Sequence, residues 1–213
     1  MNSKFRSNES VEKIIILIAF GTVLLLAGFL RFENISSNPG WYSDEGTLVE
    51  IAQNLLTGNA SYLGLNSSTL IAARLPLFPW LLSLIFKIFP QEIQTLRYFS
   101  AGLGVLATAL LYFTIRNMEF RSSNYLALAA AFFYSIFPQA VLYSRIGFSY
   151  NLLAPIIIII IWISWKYLDN PKWGLAVLAG LMIGIGSLSD LIMLSFVIPV
   201  ILIVLSRGIK NTL

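Results

Sequence analysis

Neither cysteine nor histidine occurs among the 213 residues. Disulfides, thiolate nucleophiles, imidazole bases and the ordinary zinc and haem sites are thereby excluded. Charge is scarce as well. Asp, Glu, Lys and Arg make up 11% of the chain against 57% hydrophobic residues, and mean hydropathy is +0.79. Polar chemistry is left to carboxylates, Arg, Lys, Tyr, or a hard cation held by oxygen ligands. This composition excludes a soluble domain around one buried core and describes a polytopic membrane protein, all-α in fold. A nucleotide-binding glycine loop and an internal repeat are also missing. The net charge of +4 is modest, and no nucleic-acid partner is expected.

What the chain has in abundance is long apolar runs. Residues 14–30 are 17 positions without a charge, enough to cross a bilayer core at about 1.5 Å per residue. Lys4, Arg6 and Lys13 precede this run as in a signal peptide. It continues, however, into Arg31-Phe32-Glu33 without a small-residue cleavage site, so a retained anchor is expected. Further spans are read at 98–115, 125–143, 152–168, 173–187 and 190–206, the last two divided by a turn at Gly186-Ser187-Leu188-Ser189-Asp190. Residues 75–89 are short for a span, contain Pro76, Pro79 and Lys87, and carry the interfacial Trp80. With that segment on the outer surface and the N-terminus cytoplasmic, nine of fourteen basic residues fall inside, whereas the alternative moves three basic clusters outside. The expected topology is six spans, an outer loop over 31–97, a second at 144–151 and a third outer turn at 187–190. Six of the ten acidic residues then face outward.

The first outer loop carries two expected amphipathic helices, at about 44–57 and 75–89, lying against the membrane surface. For the first, Ser43 or Asp44 serves as N-cap, Leu48, Ile51, Ala52, Leu55 and Leu56 recur at helical spacing, and Gly58 occupies the C-terminal glycine position. Between the helices, Gly58 to Ser68 is polar and rich in Asn and Ser, which predicts a mobile loop.

Chemistry concentrates in four places along this order: Trp41-Tyr42-Ser43-Asp44-Glu45-Gly46 after the first span, Arg74-Leu75-Pro76-Leu77-Phe78-Pro79-Trp80-Leu81, Leu96-Arg97, and Ser144-Arg145-Ile146-Gly147-Phe148-Ser149-Tyr150-Asn151. In that order and topology the chain resembles the N-terminal half of the GT-C membrane glycosyltransferases, particularly the protein mannosyltransferase and aminoarabinose transferase type. The resemblance runs from about Leu17 to Leu205. Three departures accompany it. Arg74-Leu75-Pro76 stands where the family has Lys-Pro-Pro, Tyr150-Asn151 stands where many relatives have an Asp, and Asp190 stands where many have Lys. Relatives are usually more than twice this long, so a chain lacking a C-terminal part is expected.

The resemblance implies transfer of a sugar from a polyprenyl-phosphate donor to a protein, lipid or glycan acceptor on the outer face of the cell membrane. A lipid phosphate leaves readily, so the reaction needs one base for the acceptor proton and positive charge for the departing phosphate. Asp44 is the expected base, with inversion at the anomeric carbon. Glu45 would orient the acceptor or, with Asp44, hold a divalent cation such as Mg or Mn. Arg145, Arg74 and Arg97 would bind donor phosphate, with Tyr150, Asn151 and Asp190 as further donor-site candidates. Plainer roles stay open beside these: Asp44 and Glu45 as helix-capping carboxylates, the arginines as interfacial anchors, and Lys87 snorkelling to the headgroups. So does a second function class, a non-catalytic scaffold or a transporter-like carrier. Against a transporter stands the gathering of ionisable residues at one membrane face instead of inside the spans.

Overall fold

The computed structural model describes residues 2–59, 75–118 and 123–210, and side chains from residue 11 to residue 206 within those ranges. Every regular element among them is helical: α1 (Asn2–Phe32), α2 (Ser43–Leu56), α3 (Leu77–Ile85), α4 (Ile93–Arg116), α5 (Ser123–Ile136), α6 (Pro138–Ser144), a 3-10 turn (Ser149–Leu152), α7 (Leu153–Asp169), α8 (Trp173–Ser187), a second 3-10 stretch (Leu191–Phe196) and α9 (Val197–Lys210). Val11–Phe32, Ile93–Arg116 and Ser149–Asp169 are long and apolar enough to cross a membrane. Together α5 and α6 make a fourth candidate, bent by 60°. The remaining two expected spans are shorter apolar helices, Trp173–Ser187 and Leu191–Ser206. The all-α polytopic architecture read from the sequence is the one observed.

Three apolar cores organise the bundle. One joins α1, α4 and α5 through Ile16, Phe20, Val23, Tyr112, Ala127 and Ala131. A second joins α7, α8 and α9 through residues such as Ile160, Ile163, Ile183 and Met193. Packing of α4 on α7 connects these two groups. The third core sits at the end of the bundle where α1 finishes. There Leu48, Val49 and Ala52 of α2 meet Phe78, Leu82 and Phe86 from α3 and the turn after it, over Leu96 and Leu103 of α4. Large apolar side chains facing outward from the helices, among them Leu17, Ile18 and Leu25 of α1 and Ile198 and Leu202 of α9, make the surface that a bilayer covers.

Two helix boundaries depart from the sequence reading. Tyr42, in extended conformation, takes the N-cap place expected for Ser43 or Asp44, so those two residues are already helical. Two residues on from Ser43, Glu45 is fully buried. The C-terminal expectation holds. Gly58 adopts φ 75°, donating to Leu55 O at 3.4 Å while Asn59 donates to Asn54 O at 2.9 Å, the paired bonds of a Schellman ending. The other departure is α3, which spans nine residues instead of 75–89. Pro76 and Pro79 confine it at the start, where missing N–H groups cost nothing, and it gives way to turns after Ile85, ahead of Pro90. Most of the predicted loop from Gly58 to Ser68, and Arg74, lie outside the described residues.

The break between α5 and α6 follows from one residue. Pro138 has no N–H, so the carbonyl four residues back, on Tyr134, loses its helical partner. Arg31 supplies the replacement. Its Nη2 donates to Tyr134 O at 3.4 Å and its Nη1 to Ser135 O at 2.9 Å, while Nη1 also reaches Ala27 O in its own helix at 3.2 Å. The guanidinium lies 5.8 Å from the Tyr134 ring centre, and the residue is fully buried. Room for it comes from Gly104 of α4, where a Cβ would lie 2.6 Å from Arg31 Nε and 2.7 Å from Ser144 Cβ. Gly104→Ala is therefore expected to lower stability by about 1–3 kcal/mol through overpacking. The control is Gly102→Ala, where the added methyl group meets nothing within 4 Å and no loss is expected. Thermal unfolding of both variants in neutral detergent checks the pair.

Candidate active site

At the end of the bundle where α1 finishes, the chain between α1 and α2 passes through an irregular segment whose backbone carbonyls have no helical partner. Two arginines take them up. Arg97, in the second turn of α4, donates through Nη1 to Ile35 O at 3.0 Å, Pro39 O at 3.1 Å and Ser36 O at 3.4 Å, and through Nη2 to Gly40 O at 2.8 Å. Arg145, which follows α6, donates through Nη1 to Leu30 O at 2.8 Å and through Nη2 to Glu33 O and Asn38 O, each at 2.7 Å. Its Nε reaches Asn38 O at 3.2 Å. Arg145 thus closes the carbonyl end of α1, the favoured place for a cation.

Arg97 also forms a buried, bidentate ion pair. Nε donates to Glu45 Oε1 at 2.8 Å and Nη2 to Glu45 Oε2 at 2.6 Å, with the two side chains 4% and 0% exposed. The backbone N–H of Gly147 donates to Glu45 Oε1 at 2.9 Å. A Cβ at position 147 would collide with the Leu96 side chain, so only glycine lets this N–H come so close. Glu45 is accordingly engaged at both oxygens by α4 and by the loop after α6.

Asp44 precedes it in the first turn of α2 and is half-buried. Aromatic rings gather beside it. Tyr42 meets Phe148 edge-on at 4.9 Å, and Phe148 lies 5.9 Å from both Tyr143 and Tyr150. Trp41 is 74% exposed and Tyr150 54%. A cavity of about 620 Å³ opens beside Trp41, with Ser36, Ser37, Glu92, Gln94 and Arg97 in its wall. Asp44 is not among its lining residues.

The sequence-derived candidates fall into three sets. Asp44, Glu45, Arg97 and Arg145 come together around the α1–α2 segment, although both arginines direct their donors to protein oxygens. Tyr150 and Asn151 lie in the adjoining 3-10 turn, where Asn151 Nδ2 donates to Ile146 O at 2.8 Å and so fixes the loop that presents Gly147. Asp190 stands apart as the cap of the second 3-10 stretch, accepting from Ile192 N at 2.8 Å. Its turn is tied to the site region by Ser189, which donates to Ser149 O at 2.9 Å, and by Leu77 N, which donates to Leu188 O at 3.0 Å. Arg74 lies outside the described residues. For a divalent cation the fit is poor. Both Glu45 oxygens already accept from Arg97, one of them also from Gly147, and no group of three or more acidic side chains that could hold a metal occurs among the described residues. Sequence reasoning passed over Gly147 and Phe148 as participants. The one available signal was their place between Arg145 and Tyr150 in the second outer loop.

Removing the cation of the pair tests how much rests on it. Arg97→Ala leaves Glu45 charged, buried and unpaired, which is expected to cost roughly 3–5 kcal/mol. In the Glu45→Gln background the same change should cost much less, because no buried charge is left behind. Unfolding of the four proteins in a double-mutant cycle measures the coupling.

Residues 73–213 match the family described as dolichyl-phosphate-mannose-protein mannosyltransferase. No curated protein and no solved structure matches the chain. The family match takes in Arg97, Arg145 and Gly147 and leaves Asp44 and Glu45 ahead of it. Covering about two-thirds of the sequence, it shows that the chain belongs to the dolichyl-phosphate-mannose-protein mannosyltransferase family, membrane glycosyltransferases that draw on polyprenyl-phosphate sugars.

Proposed function

We propose that the chain transfers a sugar from a polyprenyl-phosphate donor to a hydroxyl-bearing acceptor at the outer membrane face, with Asp44 as general base. The observation that carries this reading is the division of labour between adjacent carboxylates. Glu45 is locked to Arg97 and Gly147, which fixes the first turn of α2 and with it the half-buried Asp44. The acceptor oxygen attacks the anomeric carbon from the face opposite the phosphate, and its proton passes to Asp44. The bond between the anomeric carbon and the phosphate oxygen breaks, lipid phosphate departs, and the configuration inverts. A base of this kind is worth about 10²–10⁴ in rate.

The other candidates receive roles that suit their contacts. Arg97 and Arg145, occupied by carbonyls and Glu45, act as positioning residues for the α1–α2 segment. Arg74 keeps the donor-phosphate role that the resemblance implies, and Tyr150, exposed on the aromatic rim, faces the donor. The cavity beside Trp41, which Asp44 does not line, is given no part in the transfer step. No step is assigned to a metal ion.

The test is donor turnover by purified protein in lipid, with a panel of polyprenyl-phosphate sugars in the presence and absence of a divalent cation. Asp44→Asn should lower release of lipid phosphate by at least about 100-fold, with donor binding and membrane insertion unchanged. Turnover near the wild-type level in that variant would remove Asp44 as the base.

A further inference from the structure

At the opposite end of the bundle, three helices converge on a cleft of about 250 Å³ that the transfer reaction does not use. Lys13 comes from α1, Arg116 from the last turn of α4 and Asn124 from the first turn of α5. Lys13 and Arg116 stand at the same ends of the two spans Val11–Phe32 and Ile93–Arg116, and hence at headgroup depth. Below them the walls are apolar and aromatic. Phe20 and Tyr112 stack at 3.9 Å with an interplanar angle of 18°, and Phe113 meets Phe20 edge-on at 5.4 Å. Arg116 is held 5.9 Å from the centre of the Tyr112 ring, and its side chain stays exposed. Among the described residues neither Lys13 nor Arg116 takes part in an ion pair. Glu12, the carboxylate next to Lys13, accepts from the Tyr125 hydroxyl at 3.0 Å instead.

Two cations and an amide at the membrane surface, above an aromatic-floored groove running toward the bilayer interior, match one kind of molecule in shape and charge. We propose that this cleft binds an anionic glycerophospholipid, with its phosphate between Lys13 and Arg116, its glycerol backbone near Asn124 and an acyl chain along Phe20 and Phe113. Basic pockets between membrane helices are a recurring form of headgroup recognition. The bound lipid would bridge α1, α4 and α5 at the end away from Asp44, and so pin the helices whose other ends carry Arg31 and Arg97.

Lipid titration followed by native mass spectrometry tests this, using the full chain in neutral detergent with phosphatidylglycerol or phosphatidylcholine. Phosphatidylglycerol should bind at one saturable site and raise the unfolding midpoint, with phosphatidylcholine far weaker. The double variant Lys13→Gln/Arg116→Gln should weaken phosphatidylglycerol binding roughly 20- to 30-fold, since each cation near an anionic headgroup is worth about a factor of five. Lys166→Gln/Lys172→Gln, placed at the same end of the bundle, should leave it unchanged. Equal binding of the two lipids, or equal loss in the two double variants, would overturn the site in favour of diffuse surface attraction. Stabilisation by inorganic phosphate alone to the same extent would overturn the lipid as occupant.

Discussion

The Arg97–Glu45 pair is the constraint on which the α1–α2 region depends. A charge in an apolar bundle is costly unless it is paired and hydrogen-bonded. Here each charge satisfies the other, and the remaining donors of Arg97 are absorbed by the carbonyls of Ile35, Ser36, Pro39 and Gly40. Only a guanidinium presents enough donors, in a planar fork, to do both at once; lysine has three donors on a single nitrogen. The pair therefore joins α2 to α4 and shapes the segment that leads into α2. Through the Gly147 N–H it also fixes the loop after α6.

Arg31 and Arg145 follow the same logic, which explains why three arginines are buried among the described residues of a chain so poor in charge. Helical hydrogen bonding fails beside each of them: at the end of α1, in the irregular stretch after it, and at the proline break between α5 and α6. Each of these places leaves carbonyls without a helical partner, and each receives one arginine. Arg145 takes the end of α1, Arg97 the stretch, and Arg31 the break. The three buried guanidinium groups thus fall where the backbone beside them is irregular.

Composition and periodicity made the helical fold legible because hydropathy reports directly on burial in lipid. The apolar run at 173–187 coincides with helix α8, and the turn at 186–190 falls where that helix ends. The C-terminal signal at Gly58 was readable because left-handed backbone selects glycine. The break at Phe137-Pro138 was hidden inside one apolar run, since hydropathy does not register a missing N–H. The N-cap fell one or two residues ahead of the expected Ser43 or Asp44, and the buried ion pair of Glu45 has its partner 52 positions away, where local capping preference gives no sign of it. For the same reason, the roles of the arginines were not legible. Sequence places a guanidinium near a phosphate-bearing lipid, but only the fold reveals that protein carbonyls reach it first.

One consequence concerns the part of the chain ahead of the family match. Residues 73–213 carry the match, yet Asp44, Glu45 and the α1–α2 segment lie outside it. The contacts cross that border in both directions. From the matched region, Arg97 and Gly147 grip Glu45, and Arg145 grips Leu30, Glu33 and Asn38. From the other side, Arg31 grips Tyr134 and Ser135. The bonds to Glu45 and to Ser135 O are buried and the others part-buried, and giving up the Arg97–Glu45 pair would leave a buried charge unpaired. The stretch from Leu30 to Glu45 is therefore not an appendage to the family's helices. It completes those helices' hydrogen bonding, and in return its acidic turn is held in one position.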